Sequence, residues 1–289
     1  VIAAVLTRGG IGSRLGCLAM GMLMDKAFQA IGQGIRSLVG SPVNPCMGIK
    51  LLTGEHDTDF ALPGPMPIIW KRRYASCDRR DDGYFGAGWT APYSMQLQVL
   101  NAGTSGESLV YIDEIGRPII LPPIQPGHGY FSNTELFTVV RSESGFYELR
   151  DADGLIHQFG TPRNSSEGDF TLRVMRVRDR NGNWHALRRD DDGRVLSISD
   201  STGRLLRFTY GNGALQHHRL QSIVLEKPAP SETVGLLVRY GYDASGLLNQ
   251  VVLRDGVARR EFAYSDGLMV YKRDAQGLEC NYRWEGWDT

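Results

Sequence analysis

Residues 240–248, Tyr-Gly-Tyr-Asp-Ala-Ser-Gly-Leu-Leu, decide the fold of this chain, because they contain the elements of a β-hairpin turn. Asp243 can cap a turn by accepting hydrogen bonds from backbone amides, and Gly246 can adopt the positive φ that ends the turn. Aromatic residues precede the turn and leucines follow it, as expected for strands that leave and re-enter a sheet. The stretch therefore predicts a hairpin.

The same Asp-x-x-Gly pattern recurs through the second half of the chain. Its six complete copies are Asp151-x-x-Gly154, Asp179-x-x-Gly182, Asp190-x-x-Gly193, Asp200-x-x-Gly203, Asp243-x-x-Gly246 and Asp274-x-x-Gly277. Residues 210–213 and 264–267 are degenerate copies. Short alternating strands lie between the turns, and no helical periodicity of useful length appears after residue 45. The pattern predicts a mostly β fold, an antiparallel ribbon of hairpins that extends in one direction.

The charge balance, the cysteines and the histidines of the chain argue against several classes of function. Lys+Arg and Asp+Glu number 32 each, so the net charge gives no reason to expect a nucleic-acid partner. The cysteines lie far apart, which predicts free thiols of a chain that folds in a reducing cytoplasm; they are Cys17, Cys46, Cys77 and Cys280. The histidines lack metal-ligand spacing. We therefore expect no metal site, no cofactor and no catalytic residues.

Residues 1–40 differ from the rest and predict an apolar, glycine-rich helical leader. Two stripes share the helical spacing: an apolar one of Met24, Phe28, Ile31, Ile35 and Leu38, and a small-residue one of Ala27, Ala30 and Gly34. The longest uncharged run, residues 15–24, is shorter than the roughly 20 residues that span a bilayer. We expect the leader to dock on the rest of the chain as a plug, to bind a partner protein, or to contact a membrane transiently.

The unit at 240–248 closely resembles the YD repeat of Rhs proteins, which insecticidal toxin complexes and teneurins also contain. Five upstream segments resemble the beginning of an Rhs shell: residues 40–50, 57–65, 70–74, 85–90 and 111–117. The whole pattern resembles the N-terminal part of an Rhs/YD-repeat polymorphic toxin of the type VI secretion effector type. It divides the chain into the leader at 1–40, a region at 41–145 where the shell begins, and a YD-repeat shell segment at 146–289.

The resemblance implies a structural function without enzymatic activity in this chain. The YD-repeat sheet would form part of a hollow cocoon that encapsulates a C-terminal toxin and helps to deliver it in interbacterial competition. Its partners would be the remainder of the shell and the toxin, with an Eag-type chaperone and a secretion spike protein near the leader. The protein would reside in the bacterial cytoplasm before a contact-dependent system secretes it into a target cell.

Other readings of the sequence remain open. A secreted or surface YD-repeat adhesin could bind carbohydrate through a platform of aromatic rings, although we expect the tryptophans to pack in the core; they are Trp70, Trp89, Trp184, Trp284 and Trp287. A hydrolase would need a convergent acid–base cluster, whereas Asp190, Asp191 and Asp192 lie in a repeat turn. Residues 55–59, Glu-His-Asp-Thr-Asp, could bind a cation, and we interpret them as a polar turn.

Overall fold

The computed structural model describes residues 2–7, 43–44, 49–52, 57–160 without 77, 79 and 82, 168–212, and 218–285 without 231 and 276. Within these residues the regular elements are β-strands. The first ten are β1 (Ile2–Thr7), β2 (Val43–Asn44), β3 (Ile49–Leu52), β4 (Thr58–Leu62), β5 (Ile68–Lys71), β6 (Arg73–Ala75), β7 (Trp89–Thr90), β8 (Gln96–Ala102), β9 (Ser108–Ile112) and β10 (Pro118–Leu121).

The remaining fourteen strands form a continuous antiparallel ladder in which each strand pairs with the next. They are β11 (Gly129–Ser132), β12 (Phe137–Arg141), β13 (Tyr147–Arg150), β14 (Ile156–Phe159), β15 (Gly168–Arg178), β16 (Trp184–Arg189), β17 (Val195–Asp200), β18 (Leu205–Tyr210), β19 (Leu220–Lys227), β20 (Gly235–Tyr242), β21 (Leu248–Leu253), β22 (Ala258–Ser265), β23 (Leu268–Arg273) and β24 (Glu279–Glu285). The sequence prediction of a mostly antiparallel β fold is confirmed.

The ladder has one buried and one exposed face, which explains the alternation in its sequence. In β18, Leu206 and Phe208 are buried, whereas Arg207 and Thr209, which alternate with them, are exposed. Because successive side chains of a strand point to opposite faces, this alternation also determines the register with the neighbouring strands.

Strand β15 belongs to two sheets. Its first half pairs with β8, and its second half pairs with β14 and β16. The β8–β9–β10 sheet is thereby joined to the ladder. Tyr111 lies between the two sheets, with its ring centroid 5.3 Å from that of Phe137 and 6.5 Å from that of Phe159.

Residues 57–95, which we call the inner segment, cover the buried face of the ladder. This segment contains β4 to β7, and its large rings insert between those of the repeats. Trp70 lies 5.3 Å from Phe208, and Phe85 lies 4.7 Å from Tyr240, measured between ring centroids. The hydrophobic core is therefore shared between two parts of the chain that are far apart in sequence.

The start of the predicted leader is not helical, since β1 is a strand that pairs in parallel with β24. Isoleucine, valine and threonine favour extended backbone, which accounts for the difference. The predicted helical stripes, Met24, Phe28, Ile31, Ile35 and Leu38 with Ala27, Ala30 and Gly34, lie outside the described residues. No helix long and apolar enough to cross a membrane occurs in the part of the chain that the structure describes. The domain division at 145/146 falls in the turn between β12 and β13 and stays a prediction.

Candidate functional site

The six Asp-x-x-Gly copies occupy six turns of one geometry. In each turn the aspartate N–H donates to the carbonyl of the residue four positions later, and the glycine N–H donates to the aspartate carbonyl. One carboxylate oxygen accepts the N–H of that fourth residue at 2.8–3.0 Å. The six glycines have φ between 76° and 90°, which side chains of L-residues rarely tolerate. The turn therefore needs aspartate to accept the backbone N–H and glycine to adopt the positive φ.

Two further turns have the same backbone hydrogen bonds. Asp113 caps the turn that contains Gly116, and its Oδ1 accepts the N–H of Arg117 at 2.9 Å. Ser142 replaces the aspartate in the turn of Gly145, where its Oγ accepts the N–H of Phe146 at 2.9 Å. A search of the sequence for aspartate at this position misses the Ser142 turn. The structure reveals it, because the Ser142 oxygen accepts the same backbone N–H that the aspartate oxygen accepts in the other turns.

The degenerate copy at 264–267 is a different turn. Ser265 pairs directly with Leu268, and the two residues between them, Asp266 and Gly267, have φ of 52° and 72°. Two positive φ values in a two-residue loop define a type I′ hairpin. Of the copy at 210–213, Gly213 lies outside the described residues.

Aromatic residues lock the opposite end of each late hairpin. Tyr210 at the end of β18 donates its hydroxyl to the carbonyl of Val195 at the start of β17, at 2.9 Å. Equivalent bonds lead from Tyr242 to Leu220, from Tyr264 to Leu248 and from the Trp284 Nε1 to Met269. The sequence showed that tyrosines recur near the turns but did not reveal this role. The β17–β18 and β23–β24 hairpins are thus fastened at the turn by Asp and Gly and at the open end by an aromatic donor.

A buried charged cluster joins the inner segment to the ladder. Asp59 accepts hydrogen bonds from Arg72 at 2.7 and 3.0 Å, from Arg260 at 2.9 Å and from the Tyr240 hydroxyl at 2.7 Å. The Arg72 and Asp59 side chains are fully buried. The Trp70 Nε1 donates to the Tyr240 oxygen at 2.8 Å, which completes the network.

The electrostatics of the cluster follow from burial and pairing. Burial disfavours the charged form of Arg72, yet the charge and hydrogen bonds of Asp59 raise the pKa of Arg72 above its ordinary value. Burial, followed by the positive charge of Arg72, lowers the pKa of Arg260. The Arg72 guanidinium also lies 5.0 Å from the ring of Trp89. Asp59 accepts hydrogen bonds from both arginines and neutralises one of their two positive charges, which offsets part of the cost of burying them.

The prediction of a polar turn at residues 55–59 is wrong for its described members. Asp57 and Asp59 are 1% and 6% exposed. Asp57 lies 3.8 Å from the buried ammonium of Lys272, and Asp59 lies in the arginine cluster. Both carboxylates are used by ion pairs with distant residues, which no local sequence pattern indicates.

Other links connect the inner segment to further strands. The neutral His185 imidazole donates from Nε2 to the Met66 carbonyl at 3.1 Å and accepts at Nδ1 from the Tyr93 hydroxyl at 2.8 Å. Burial lowers the pKa of His185, so its neutral form is favoured. Arg204 donates to the Pro63 carbonyl at 2.5 Å.

More bonds of the same kind fasten the inner segment along its length. Arg219 pairs with Asp81, the Trp89 Nε1 donates to the Tyr264 hydroxyl at 2.8 Å, and the Met269 N–H donates to the Tyr74 hydroxyl at 3.1 Å. The contacts therefore extend over most of the late ladder.

The core prediction is confirmed for Trp70 and Trp89, and Trp284 packs partly buried against the core, whereas Trp184 does not belong to it. Trp287 lies outside the described residues. Trp70 and Trp89 are buried, and Trp184 is half-buried beneath the Arg176 guanidinium, 4.7 Å from its ring. In the acidic turn at residues 190–192, Asp190 and Asp192 form ion pairs with Arg194 at 2.6 and 3.4 Å. Within the described residues, no three His, Cys, Asp or Glu side chains gather closely enough to hold a metal ion.

Several known proteins are similar to this chain. A family model described as a domain of unknown function (DUF6531) matches residues 40–121. The chain is 32% identical over 271 residues to the double-stranded DNA deaminase toxin A of Burkholderia cenocepacia, covering 91% of this chain and 18% of the relative. It is 29% identical over 320 residues to the toxin protein Tse5 of Pseudomonas aeruginosa, covering 99% and 23%. Among solved structures, the TcdB2-TccC3 crystal structure gives a TM-score of 0.48 at 14% identity, over 78% of this chain and 17% of that one.

The capped hairpins, aromatic locks and inner segment define an antiparallel YD-repeat β-sheet protein. With its two toxin relatives, the chain belongs to the Rhs/YD-repeat polymorphic toxins. It spans 18% and 23% of the lengths of those relatives.

Proposed function

We propose that this chain is a portion of the wall of a toxin shell, which encapsulates a C-terminal toxin and helps to deliver it into competing bacteria. The observation that carries the proposal is the unbroken ladder from β11 to β24, in which six Asp-x-x-Gly turns and four aromatic donors fasten the strands to one another. A sheet with continuous backbone pairing along its length offers few free edges, so it is suited to separating two compartments.

The mechanism is exclusion, and it requires no chemistry from these residues. The exposed face of the ladder is largely polar, and the opposite face packs on the inner segment and on the β8–β10 sheet. A closed, well-packed wall keeps proteases and substrates away from whatever lies behind it. The names of the two relatives support a toxin context, and the partners of this chain would be the remainder of the shell and the toxin itself.

Limited proteolysis of the full-length toxin tests encapsulation. We expect the toxin region to resist protease in the wild-type protein and to become accessible in Trp70→Ala, because Trp70 is fully buried between the wall and the inner segment. Phe131→Ala is the matched control, since Phe131 is an aromatic residue that is 59% exposed. Cleavage of the toxin region in the intact protein at the rate of the isolated toxin would refute encapsulation.

We also propose that the predicted leader is a ligand for an Eag-type chaperone and lies close to a secretion spike protein, with transient membrane contact during delivery. Support comes only from the apolar stripe in the sequence and the family resemblance. Phe28→Asp with Ile35→Asp should abolish co-purification of a small chaperone from the host, whereas Gln33→Asp, off the stripe, should not. Retention of the chaperone by the double variant would contradict this role.

The alternative of a surface carbohydrate-binding protein receives little support from Trp70, Trp89 and Trp184. Trp70 and Trp89 are buried, and the ring of Trp184 is covered by Arg176. Sugar platforms need exposed rings, so these three cannot supply one.

A further inference from the structure

We propose that the inner segment, residues 57–95, is a clamp that couples the YD repeats into one cooperative unit, with Asp59 as its central link. This inference assigns a role to a large part of the matched domain of unknown function at 40–121. It concerns the stability of the chain itself and stands whether or not the shell encloses a toxin.

A repeat sheet without such a segment has only contacts between neighbours. Its stability is then a sum of local terms, and one end can open while the other stays folded. Here the inner segment contacts repeats that are not neighbours of one another. The ladder residues that bond to it include His185, Arg189, Arg204, Arg219, Leu220, Tyr240, Tyr242, Arg260, Tyr264, Met269 and Lys272.

The distribution of these bonds decides how the repeats are coupled. They begin at β16 and continue to β23, and each ends on the same stretch of fewer than 40 residues. That stretch is held together by its own packing, with the Trp70, Tyr74, Phe85 and Trp89 rings buried in one core. When the inner segment detaches from one repeat, its packing against the others is disturbed. Local unfolding of one repeat therefore destabilises repeats that are not its neighbours.

Asp59 is the central link because it joins three elements. It binds Arg72 within the inner segment, Tyr240 on β20 and Arg260 on β22, at 2.7–3.0 Å. If the inner segment separates from the ladder, Arg260 loses the Asp59 carboxylate. If Asp59 is replaced, both Arg72 and Arg260 stay buried without the Asp59 carboxylate. Breaking a buried ion pair by loss of one partner is far more disruptive than loss of a surface pair.

Hydrogen exchange on the full chain, followed by mass spectrometry, tests the clamp. We compare wild type with Asp59→Asn, which keeps the shape of the side chain and removes its charge. Exchange in β20–β23 should accelerate on the order of 100-fold, as expected for a broken buried pair. The clamp further requires that β16–β18 accelerate by a similar factor, although these strands lack contact with Asp59.

The matched control is Glu226→Gln. Glu226 forms an ion pair of 2.8 Å with Arg207 on the exposed face of the ladder, and both side chains are nearly half exposed. Loss of a surface pair should change exchange less than about fivefold, and only nearby. If Asp59→Asn accelerates exchange only in the inner segment, β20 and β22, the repeats are independent and the clamp is wrong.

Milder variants keep the test decisive if Asp59→Asn does not fold. Tyr240→Phe removes one hydroxyl from the network, and Asp81→Asn weakens the link to Arg219 at a position where the acid is 65% exposed. Each should accelerate exchange about tenfold or less, and by the same factor in β16–β18 as in β20–β23. A response confined to the strands next to the substitution would overturn the proposal.

Discussion

Replacing Gly88 by alanine tests how closely the inner segment packs on itself and on the ladder. Gly88 has φ of 83°, and a Cβ at this position would lie 2.5 Å from the ring of Tyr74. That ring cannot move aside easily, because Tyr74 is 1% exposed, packs 5.1 Å from Trp89 and accepts the Met269 N–H. Alanine at Gly88 therefore suffers backbone strain and a collision with a fixed ring.

Gly203→Ala separates the two effects. Gly203 has φ of 90°, but a Cβ there would meet nothing within 4 Å. Left-handed backbone costs an L-residue about 1–2 kcal/mol, and alanine recovers part of that by reducing the freedom of the unfolded chain. We expect Gly203→Ala to lower the free energy of unfolding by about 1 kcal/mol. Overpacking adds about 1–3 kcal/mol, so Gly88→Ala should lose about 2–4 kcal/mol.

Urea denaturation of the full chain, monitored by tryptophan fluorescence and by circular dichroism, measures both losses. Fluorescence reports the surroundings of the five tryptophans, of which Trp70 and Trp89 lie in the inner segment, and circular dichroism reports the whole sheet. Equal losses for the two variants would refute the reasoning, because they would show that Gly88 is not pressed against a fixed Tyr74 ring.

Three further predictions concern the histidine, the aromatic locks and the turns. Burial lowers the pKa of His185 in the folded chain, so below a pH of about 6.5 the unfolded chain binds a proton at this residue that the folded chain excludes. The free energy of unfolding should therefore fall as the pH is lowered from about 7.5 to about 5.5. Urea titrations should show a smaller fall in His185→Gln. Tyr264→Phe should lower the free energy of unfolding, measured by denaturant titration, by about 1 kcal/mol, because the Tyr264 hydroxyl donates to a ladder carbonyl at 2.7 Å. The control is Tyr130→Phe at a half-buried tyrosine, where a similar loss would point to a nonspecific effect. Asp243→Ala removes the acceptor for two turn amides at 2.9 Å and should lower the melting temperature more than Asp243→Asn, which keeps an oxygen; equal effects would argue against the capping role.

The turns could be predicted from the sequence because their chemistry is local. An aspartate and a glycine three positions apart meet the hydrogen-bond and φ requirements of one turn, so Asp151 and Gly154 indicate their own structure. The strands follow from the alternation between turns. The antiparallel order then needs only short connections, which leave little choice of partner.

The inner segment could not be predicted in the same way, because its contacts are remote. Asp59 and Tyr240 are separated by 181 residues, and Asp59 and Arg260 by 201. Aspartates in a short acidic stretch usually belong to a solvated turn, so a reading by residue type favours exposure at residues 55–59. Only the folded chain shows that buried arginines meet these carboxylates.

The strand at Ile2–Thr7 was missed for a different reason. Its apolar residues are compatible with either a helix or a strand, and a short run lacks the periodicity that separates the two. Pairing with β24 decides the outcome, and that partner lies at the other end of the described chain.

The structure of the full-length toxin by single-particle cryo-electron microscopy tests the central claim most directly. Our account predicts that β11–β24 form one continuous stretch of a wall and that the toxin region lies in the volume that this wall bounds. The account is contradicted if the toxin region lies outside that volume, or if the ladder is interrupted by a domain that separates the repeats.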